Sequence, residues 1–361
     1  MNSTKQILII IQRSNGDVFL SSSLIKALYE NYEEPQIDLL INDDTISIAE
    51  LFPFIRNIYT FSYSKKRKAR WRQEKDIVLD LYKKYDLSIN LTASDRSVIY
   101  ALIAGKKSIS AVEINKSKSW WKKIFLTHYY YFDDTKHILE NNLKSLSLLN
   151  INYKNIHFEI EASTRTFLNI KSRLDSIMVT NFIIFHPSAQ YEYKIYPKKL
   201  RDKLLKNLSK LGVPILVTGS SNLIDMEIKK ILPSLPNIHD FIGQTSIEEF
   251  FALSKLSLGY IGMDTLNMHI AASQNKRIFA IFGPTKLSMW SPWSNTLHKA
   301  TKSNEPLQSY DNITIFQNSI PCKVCGKVGC GSNHGKNELI YDIDPKEIFN
   351  EVEKWFIKIK I

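Results

Sequence analysis

An acid, a hydroxyl and a histidine follow one another where a hydrophobic strand-like run ends. The run LSLGYIGM leads into Asp264 and Thr265, and His269 comes five residues after the acid. The residues from Thr265 onward predict a helix, and the first turn of a helix offers unpaired N–H groups and partial positive charge that suit a diphosphate. His269 falls about one turn later, on the same side as Thr265. The spacing favours a diphosphate site, with a capped helix and a core histidine as the alternative.

A second polar strand end and a lysine accompany this motif. The run RIFAIF ends in F-G-P-T at 282–285, and NFIIF at 181–185 leads into a polar loop that carries Lys194. Ligands of open α/β sheets bind outside the carboxyl ends of the strands, so these turns are expected to share a site. A lysine at that edge neutralises phosphate charge as a point cation, although a lone lysine is more often a surface residue.

A glycine and an acid end the first strand. Gly16 and Asp17 stand at the strand-to-helix turn of QRSNGDVFLSSSLIKAL, where a carboxylate points into the ligand crevice of an open sheet. Asp17 is therefore a candidate general base, and capping of the following helix is the alternative. The single glycine excludes the dinucleotide fingerprint, which needs three.

Two series of short β-branched runs must position these residues. Strands buried on both faces, as in parallel sheets flanked by helices, appear as continuous apolar runs. Between about 114 and 180 the pattern pauses, and a helix is predicted from Thr135 to Leu149. Since 361 residues exceed the usual size of one hydrophobic core, two α/β domains are expected. The runs are ILIII at 7–11, IDLLI at 37–41, LSINL at 87–91, SISAV at 108–112, NFIIF at 181–185, PILVTG at 214–219, LSLGYIG at 256–262 and RIFAIFG at 277–283.

The last segment carries its own helix start. Asp344 suits the cap, Pro345 the first helical position, and Glu347 stands three residues after the cap. We expect this amphipathic helix to dock back, with the cleft between the sheets as a plausible place. The expected domains are residues 1–170, residues 171–343 and the terminal helix at 344–361. Its apolar face would comprise Ile348, Val352, Trp355 and Ile359.

Several motifs along nearly the whole chain occur together in one known family. They are G-D with L-S-S-S-L-I-K-A-L, Y-D-L-S-I-N-L-T-A-S-D-R-S at 85–97, H-I-L-E-N-N-L at 137–143, H-P-S-A-Q and K-I-Y-P within 186–197, D-T-L-N-M-H-I-A-A, and F-G-P-T. The chain resembles glycosyltransferase family nine, the ADP-heptose:lipopolysaccharide heptosyltransferases. W-S-P-W at 290–293 and P-C-K-V-C-G-K-V-G-C resemble the branch that includes heptosyltransferase III.

The resemblance implies a fold and an activity. The fold is GT-B, in which two Rossmann-like domains face each other across a cleft, with the acceptor on the first domain and the nucleotide sugar on the second. The activity is inverting transfer of a heptose from ADP-L-glycero-D-manno-heptose to the inner core of lipopolysaccharide. Alternatives are a different nucleotide sugar or acceptor, or a non-catalytic nucleotide-binding relative associated with membranes.

The resemblance also implies roles for single residues. Asp17 matches the catalytic base, Lys194 the lysine beside the donor phosphates, and Asp264 the aspartate that holds heptose hydroxyls. Thr265 and His269 match the diphosphate site, where many members have glycine in place of Leu266, so the approach of that amide to phosphate is expected to differ. The remaining assignments are Ser188, Thr218, Gly219 and Leu266 for donor binding, and Gly16 and Arg96 for the acceptor side.

No metal or cofactor is expected to be required. The D-x-D pattern of Asp342 and Asp344 lies at the start of the terminal helix and not after a central strand, so it is interpreted as structural. A cluster of three cysteines and one histidine leaves two interpretations open. Its pattern, C-x2-C-x4-C-x3-H, resembles small zinc knuckles but also suits a packed loop. Its residues are Cys322, Cys325, Cys330 and His334.

About half of the net charge of +12 lies in one short basic run. Such a run suits the anionic inner leaflet that carries a lipid-linked acceptor, while a solvated face is the alternative. Nucleic acid is not expected as a partner, because no recognised binding motif accompanies the charge. With no secretory signal and no apolar run long enough to span a bilayer, we expect a cytoplasmic monomer, peripheral at the inner membrane. The run includes Lys65, Lys66, Arg67, Lys68 and Arg70.

Overall fold

The computed structural model describes residues 6–65, 67–114, 119–153, 160–283, 285–318 and 338–360. Lys66, the three cysteines and His334 lie outside the described residues, so the predictions made for them are not tested. The chain divides into two compact units, Met1–Ile160 and Glu161–Ile361.

The first unit alternates strands and helices from its first strand onward. Its strands are β1 (Gln6–Ile11), β2 (Gln36–Asn42), β3 (Ile55–Phe61), β4 (Tyr85–Asn90), β5 (Gly105–Val112) and β6 (His128–Tyr131). Its helices are α1 (Asn15–Phe19), α2 (Ser22–Asn31), α3 (Ile46–Ala49), α4 (Arg67–Leu81), α5 (Asp95–Ala104), α6 (Trp120–Phe125) and α7 (Ile138–Ser147).

The six strands form one parallel sheet in the order β3-β2-β1-β4-β5-β6. The apolar run of β1 is buried throughout, as expected of a central strand covered on both faces. The strand order reverses between β1 and β4, and ligands bind outside the carboxyl ends of strands at such a switch point. In this sheet, the switch point is where Asp17 follows β1.

The second unit repeats the alternation. Its strands are β7 (Ile183–His186), β8 (Ile215–Gly219), β9 (Ile238–Ile242), β10 (Gly259–Met263), β11 (Arg277–Phe282), β12 (Leu307–Tyr310) and β13 (Ile313–Gln317). Its helices are α8 (Thr164–Ser176), α9 (Lys198–Leu208), α10 (Leu223–Lys230), α11 (Ile247–Leu256), α12 (Leu266–Ser273), α13 (Leu287–Trp290) and α14 (Pro345–Lys360).

The second sheet has the order β12-β13-β11-β10-β7-β8-β9, and only the pairing of β12 with β13 is antiparallel. Its switch point lies between β7 and β10, which pair in register from Gly259 with Ile183 to Gly262 with His186. The Lys194 loop follows β7, and Asp264 follows β10. The topology thus brings the two motifs of the second half to one edge.

The terminal helix α14 packs on the second unit. Ile348, Val352 and Phe356 join the buried core that includes β7, β8 and α9, and the hydroxyl of Tyr196 donates to the carbonyl of Ile343 at 2.6 Å just before the helix. The backbone N–H of Lys346 donates to Asp344 Oδ1 at 2.9 Å, as expected of a capping residue. Among the described residues, none of the helices is both long and apolar enough to cross a membrane.

The predicted α/β class with two parallel sheets is confirmed. The helix predicted from Thr135 to Leu149 is shorter, Ile138–Ser147, because His137 caps it by accepting from the backbone N–H of Leu139. Five strands were not among the predicted runs, β3, β6, β9, β12 and β13.

Candidate active site

An ion pair joins the two polar turns of the second sheet. Lys194 Nζ lies 3.0 Å from Asp264 Oδ2, and the lysine side chain is 21% exposed whereas the aspartate side chain is 7% exposed. Lys194 ends a short 3-10 turn after β7, and Asp264 directly follows β10. The structure therefore brings these two predicted site residues together at the switch point.

Thr265 begins helix α12 without capping it through its side chain. Its backbone is extended, its hydroxyl makes no capping hydrogen bond, and that hydroxyl lies 3.5 Å from the Tyr260 hydroxyl. Leu266 is the first helical residue and is not among the residues with positive φ. A helical φ is available to leucine without strain, so glycine is not needed here for the first-turn N–H groups to point along the helix axis.

His269 is buried one turn into α12. Burial lowers its pKa to about 4, with Asp264 acting in the opposite direction and Lys194 in the same direction as burial. The imidazole is therefore neutral at pH 7, with one nitrogen as donor and one as acceptor. Within the described part of the chain, its Nδ1 has no hydrogen-bond partner.

His186 connects the end of strand β7 with strand β8 and helix α12. Its Nδ1 lies 3.0 Å from Thr218 Oγ1 at the end of β8 and 3.2 Å from Asn267 Nδ2 in the first turn of α12. Burial lowers the pKa of His186 to about 4, although the charge of Asp225 acts in the opposite direction. This neutral imidazole connects the predicted residue Thr218 to the diphosphate motif, and neither His186 nor Asn267 was predicted from the sequence.

Asp225 connects the loop that contains Ser188 with the end of strand β8 at Gly219. This buried carboxylate accepts from the hydroxyl of Ser188 through Oδ1 and from the backbone N–H of Ser220 through Oδ2, the latter at 2.5 Å. A Cβ atom at Gly219 would lie 3.2 Å from Asp225 Oδ2, so glycine leaves room for this close approach. Sequence reasoning missed Asp225, which lies in the first turn of α10 after a polar strand end.

In the first unit, Asp17 is the third residue of α1 and Ser14 is the N-cap residue. The Ser14 hydroxyl donates to Asp17 Oδ2 at 2.7 Å, and Arg13 Nε forms an ion pair with Oδ1 at 2.9 Å. The carboxylate is buried directly after Gly16. The N-cap position is thus held by Ser14 and not by Asp17, whose carboxylate contacts Ser14 and Arg13.

The loop after β4 lies against the loop after β1. The backbone N–H of Gln12 donates to Thr92 Oγ1 at 3.0 Å, and Lys122 Nζ donates to the carbonyl of Ala93 at 2.7 Å. Arg96 follows in α5, where its guanidinium carbon lies 3.8 Å from the centroid of the Phe61 ring. Arg96 also lies 4.7 Å from the ring of Tyr63 and 3.9 Å from Glu74 Oε1. These contacts hold the Arg96 side chain against the end of β3 and against α4, and the acceptor role expected of Arg96 stays a prediction.

The described part of the basic run ends in an exposed face of α4. The helix buries Gln73, Ile77 and Leu81, and the Gln73 amide bonds both backbone groups of Ser62. Trp71 is 71% exposed on the opposite side. The exposed cations of this segment are Lys65, Lys68, Arg70, Arg72 and Lys75, and the side chain of Arg67 is not described.

Among the described residues, no three His, Cys, Asp or Glu side chains form a group that could hold a metal ion. Asp342 accepts from the amide of Asn318 at 2.9 Å, and Asp344 caps α14, so both acids of the D-x-D pattern have structural partners.

The sequence and the fold are similar to those of characterised proteins. Residues 79–319 match glycosyltransferase family 9, which is described as heptosyltransferase. The lipopolysaccharide heptosyltransferase 3 of Escherichia coli K12 is 28% identical over 298 residues, which cover 79% of this chain and 84% of that protein.

Two solved structures share the fold. A family 9 glycosyltransferase from Veillonella parvula superposes with a TM-score of 0.75 at 17% identity, over 99% of this chain and 98% of that chain. The Escherichia coli ADP-heptose lipopolysaccharide heptosyltransferase II gives 0.72 at 17% identity, over 99% of this chain and all of that chain. These likenesses confirm the GT-B fold expected from the sequence.

Proposed function

Because the chain belongs to glycosyltransferase family 9, the heptosyltransferase family, we propose that it transfers a heptose from ADP-L-glycero-D-manno-heptose to the inner core of lipopolysaccharide. The similar proteins are named as lipopolysaccharide heptosyltransferase 3 and ADP-heptose lipopolysaccharide heptosyltransferase II, which supports both the donor and the acceptor class. In this proposal the first unit binds the acceptor and the second unit binds the nucleotide sugar.

The observation that carries the proposal is the Lys194–Asp264 pair at the start of α12. Departure of ADP places negative charge on the diphosphate, and a lysine together with helical N–H groups is suited to stabilise it. Asp264 then holds heptose hydroxyls, and the neutral imidazole of His269 provides one further hydrogen bond. This arrangement supports a donor site in the second unit, with Ser188, Thr218 and Gly219 in the neighbouring turns.

Asp17 supplies the base for the reaction. It removes the proton from an acceptor hydroxyl while that oxygen bonds to the anomeric carbon, and the bond from that carbon to the ADP oxygen breaks. Attack from the face opposite ADP inverts the anomeric configuration. General base assistance contributes about 10²–10⁴-fold in rate, and the rest comes from positioning and charge stabilisation. No step in this scheme requires a metal or another cofactor.

The test is transfer itself. The protein is incubated with ADP-heptose and a set of truncated core acceptors, and the products are analysed by mass spectrometry. A heptose mass increment on one acceptor supports the proposal and identifies that acceptor. Asp17→Asn should abolish turnover and leave ADP binding intact, whereas an absence of transfer to every acceptor, or full activity of the variant, contradicts the proposal.

We further propose that the first unit binds an anionic bilayer through α4 and α6. The exposed cations of α4 surround Trp71, and α6 exposes Trp120, Ile124 and Phe125. The two helices flank the start of α5, because Lys122 of α6 pairs with Asp95 and Glu74 of α4 pairs with Arg96. Each Lys or Arg near an anionic surface contributes about 1 kcal/mol, and exposed aromatic side chains suit the bilayer interface.

Binding to vesicles of defined composition tests this surface. The protein should bind vesicles with anionic lipid better than neutral ones, and added salt should weaken the binding. Replacing both Lys68 and Arg72 by Glu, which reverses their charges, should lower the affinity for anionic vesicles by at least about tenfold. The matched control reverses Lys203 and Lys206 on α9, which changes the net charge equally. Binding that ignores anionic lipid content, or equal losses in both variants, contradicts the proposal.

A further inference from the structure

Arg13 lies directly beside the candidate base, and the sequence pattern did not single it out. Its Nε is 2.9 Å from Asp17 Oδ1, and its guanidinium carbon is 5.7 Å from the centroid of the Phe132 ring. Among the described residues, Asp17 is the acid that pairs with this side chain. The arginine is thus fixed from two directions, by the base on one edge and by an aromatic ring on one face.

The Arg13 guanidinium has N–H donors that could bind a ligand. Arginine carries five N–H donors on a rigid plane, and Arg13 Nε lies 2.9 Å from Asp17 Oδ1, an ionic contact, because that oxygen accepts no hydrogen bond within the described part of the chain. The side chain is 33% exposed, although the partner carboxylate is only 7% exposed. A partly exposed guanidinium can meet a ligand, and its planar pair of N–H donors matches the two oxygens of a carboxylate or a phosphate.

The charges at this strand end favour an anionic ligand only while Arg13 is present. An ionised Asp17 repels a second negative group at short range, and the arginine between them offsets that repulsion. An Asp17–Arg13–anion series would place opposite charges next to each other. An acceptor with a negative group close to its attacking hydroxyl is then compatible with a carboxylate base.

Polar groups near Arg13 also lack partners within the described part of the chain. Both the amide nitrogen and the amide oxygen of Gln12 are buried without a hydrogen-bond partner, and so is Oδ1 of Asn15. Buried polar groups are nearly always hydrogen-bonded in folded proteins. Gln12 and Asn15 flank Arg13 in the sequence, and a polar ligand such as a sugar could supply the hydrogen bonds that their side chains lack.

From these contacts we infer that Arg13 binds a carboxylate or phosphate group of the acceptor next to the hydroxyl that Asp17 activates, and so determines acceptor specificity. The inference rests on the proposed transferase function. Arg13 is in addition a positioning residue, since it fixes the orientation of the Asp17 carboxylate.

The experiment compares matched acceptors that differ in one group. Equilibrium binding and kcat/KM are measured for a core acceptor that carries the carboxylate, for one that carries a phosphate, and for neutral versions from which either group has been removed. The parent should prefer at least one anionic acceptor by about 10–100-fold, the range for a charge-assisted hydrogen bond. The arm that shows the preference identifies the anion.

Variants of Arg13 then test whether this residue causes the preference for anionic acceptors. Arg13→Gln should remove the preference, Arg13→Lys should retain part of it, and the donor KM should stay unchanged. Lys26→Gln, which breaks another pair four residues apart on α2, should behave like the parent. A preference that survives in Arg13→Gln, or an equal loss with all acceptors, overturns the inference. Binding is measured without donor, so a protein that binds anionic acceptors through Arg13 but transfers no heptose would refute the proposed function and not this inference.

Discussion

The partners of the Lys194–Asp264 pair differ in their access to solvent. The lysine retains contact with water, while the aspartate is nearly enclosed. Removing the lysine therefore leaves a buried carboxylate without its cation, a change that destabilises folded proteins more strongly than loss of an exposed pair. The diphosphate of a bound nucleotide would also attract Lys194, so this side chain stabilises the fold and is proposed to bind the donor.

Lys194→Met should slow transfer more than it weakens structure. Without the cation, charge on the departing diphosphate is less stabilised, and we expect kcat to fall by about 10²–10³-fold. Steady-state kinetics measure the fall in kcat, and urea unfolding measures the loss of stability. Lys198→Met, in an exposed pair with Asp202 on α9, is the control. Similar kinetics for both variants would show that Lys194 does not contact the donor.

His269 should make the protein less stable in acid. Its pKa in the folded state is about 4, below the ordinary 6.5, so the unfolded chain binds more protons between these values. The stability that it contributes is complete above pH 6.5 and is lost as the pH falls toward 4. At 1.36 kcal/mol per unit, the loss is on the order of 3 kcal/mol.

Urea unfolding from pH 4 to 7 measures this contribution as a slope of the free energy of unfolding against pH. His269→Asn should flatten the slope, and His298→Asn, which replaces an exposed histidine, is the control. An unchanged slope in His269→Asn would mean that the imidazole is already protonated, or solvated, in the folded protein.

At the scale of elements, the site depends on how closely β10 approaches β7. A methyl group at Gly262 would lie 2.5 Å from the carbonyl oxygen of His186 and 2.7 Å from the Tyr260 hydroxyl. Contacts this short force the two strands apart. Both strands end in site residues, so the spacing of the strands also sets the spacing of His186 and Asp264.

Gly262→Ala should therefore reduce stability and ADP affinity together. We expect a loss of about 1–3 kcal/mol or more in the free energy of unfolding, as for other overpacked cores. Gly212→Ala is the control, because its new methyl group meets nothing within 4 Å and reports only the strain of a φ of +68°. Normal ADP binding by a stable Gly262→Ala protein would contradict the proposed link.

The central strands and the strand-end acids could be predicted from the sequence because neighbouring residues in the chain define each pattern. The apolar runs of β1, β7, β10 and β11 are continuous, and Asp17 stands in the turn that directly follows β1. Strands such as β3, with exposed Arg56 and Asn57, lack a continuous apolar run and were missed. His186 and Asn267 were missed because their contact joins residues 81 positions apart, which only the folded sheet brings together.

At the scale of the whole molecule, the two units have separate hydrophobic cores. One core includes Ile183, Leu204 and Val352, all in the second unit, and another includes Leu8, Leu40 and Tyr100 in the first. The residues assigned to the donor all lie after residue 161, while Asp17, Arg13 and Arg96 lie before it. Donor binding and acceptor activation are therefore expected to be separable.

A fragment of residues 161–361 should fold and bind ADP. Because its core and all proposed donor contacts are its own, its ADP affinity should lie within about tenfold of that of the full chain, a difference of about 1.4 kcal/mol. Thermal unfolding followed by circular dichroism and ADP titration measure both properties. A fragment that unfolds without cooperativity, or that folds but ignores ADP, would show that the first unit is needed for the donor site.

The short strand β12 has a consequence for how the protein behaves at high concentration. It runs antiparallel along β13 for four residues and ends the sheet on that side. A parallel sheet with an open edge is a template on which strands of other chains can add and form aggregates. The brief reversed strand offers only four residues for such addition, and the polar Gln308 and Ser309 make it a poor template. Variants that lengthen this strand or make it more apolar are therefore expected to aggregate sooner than the parent.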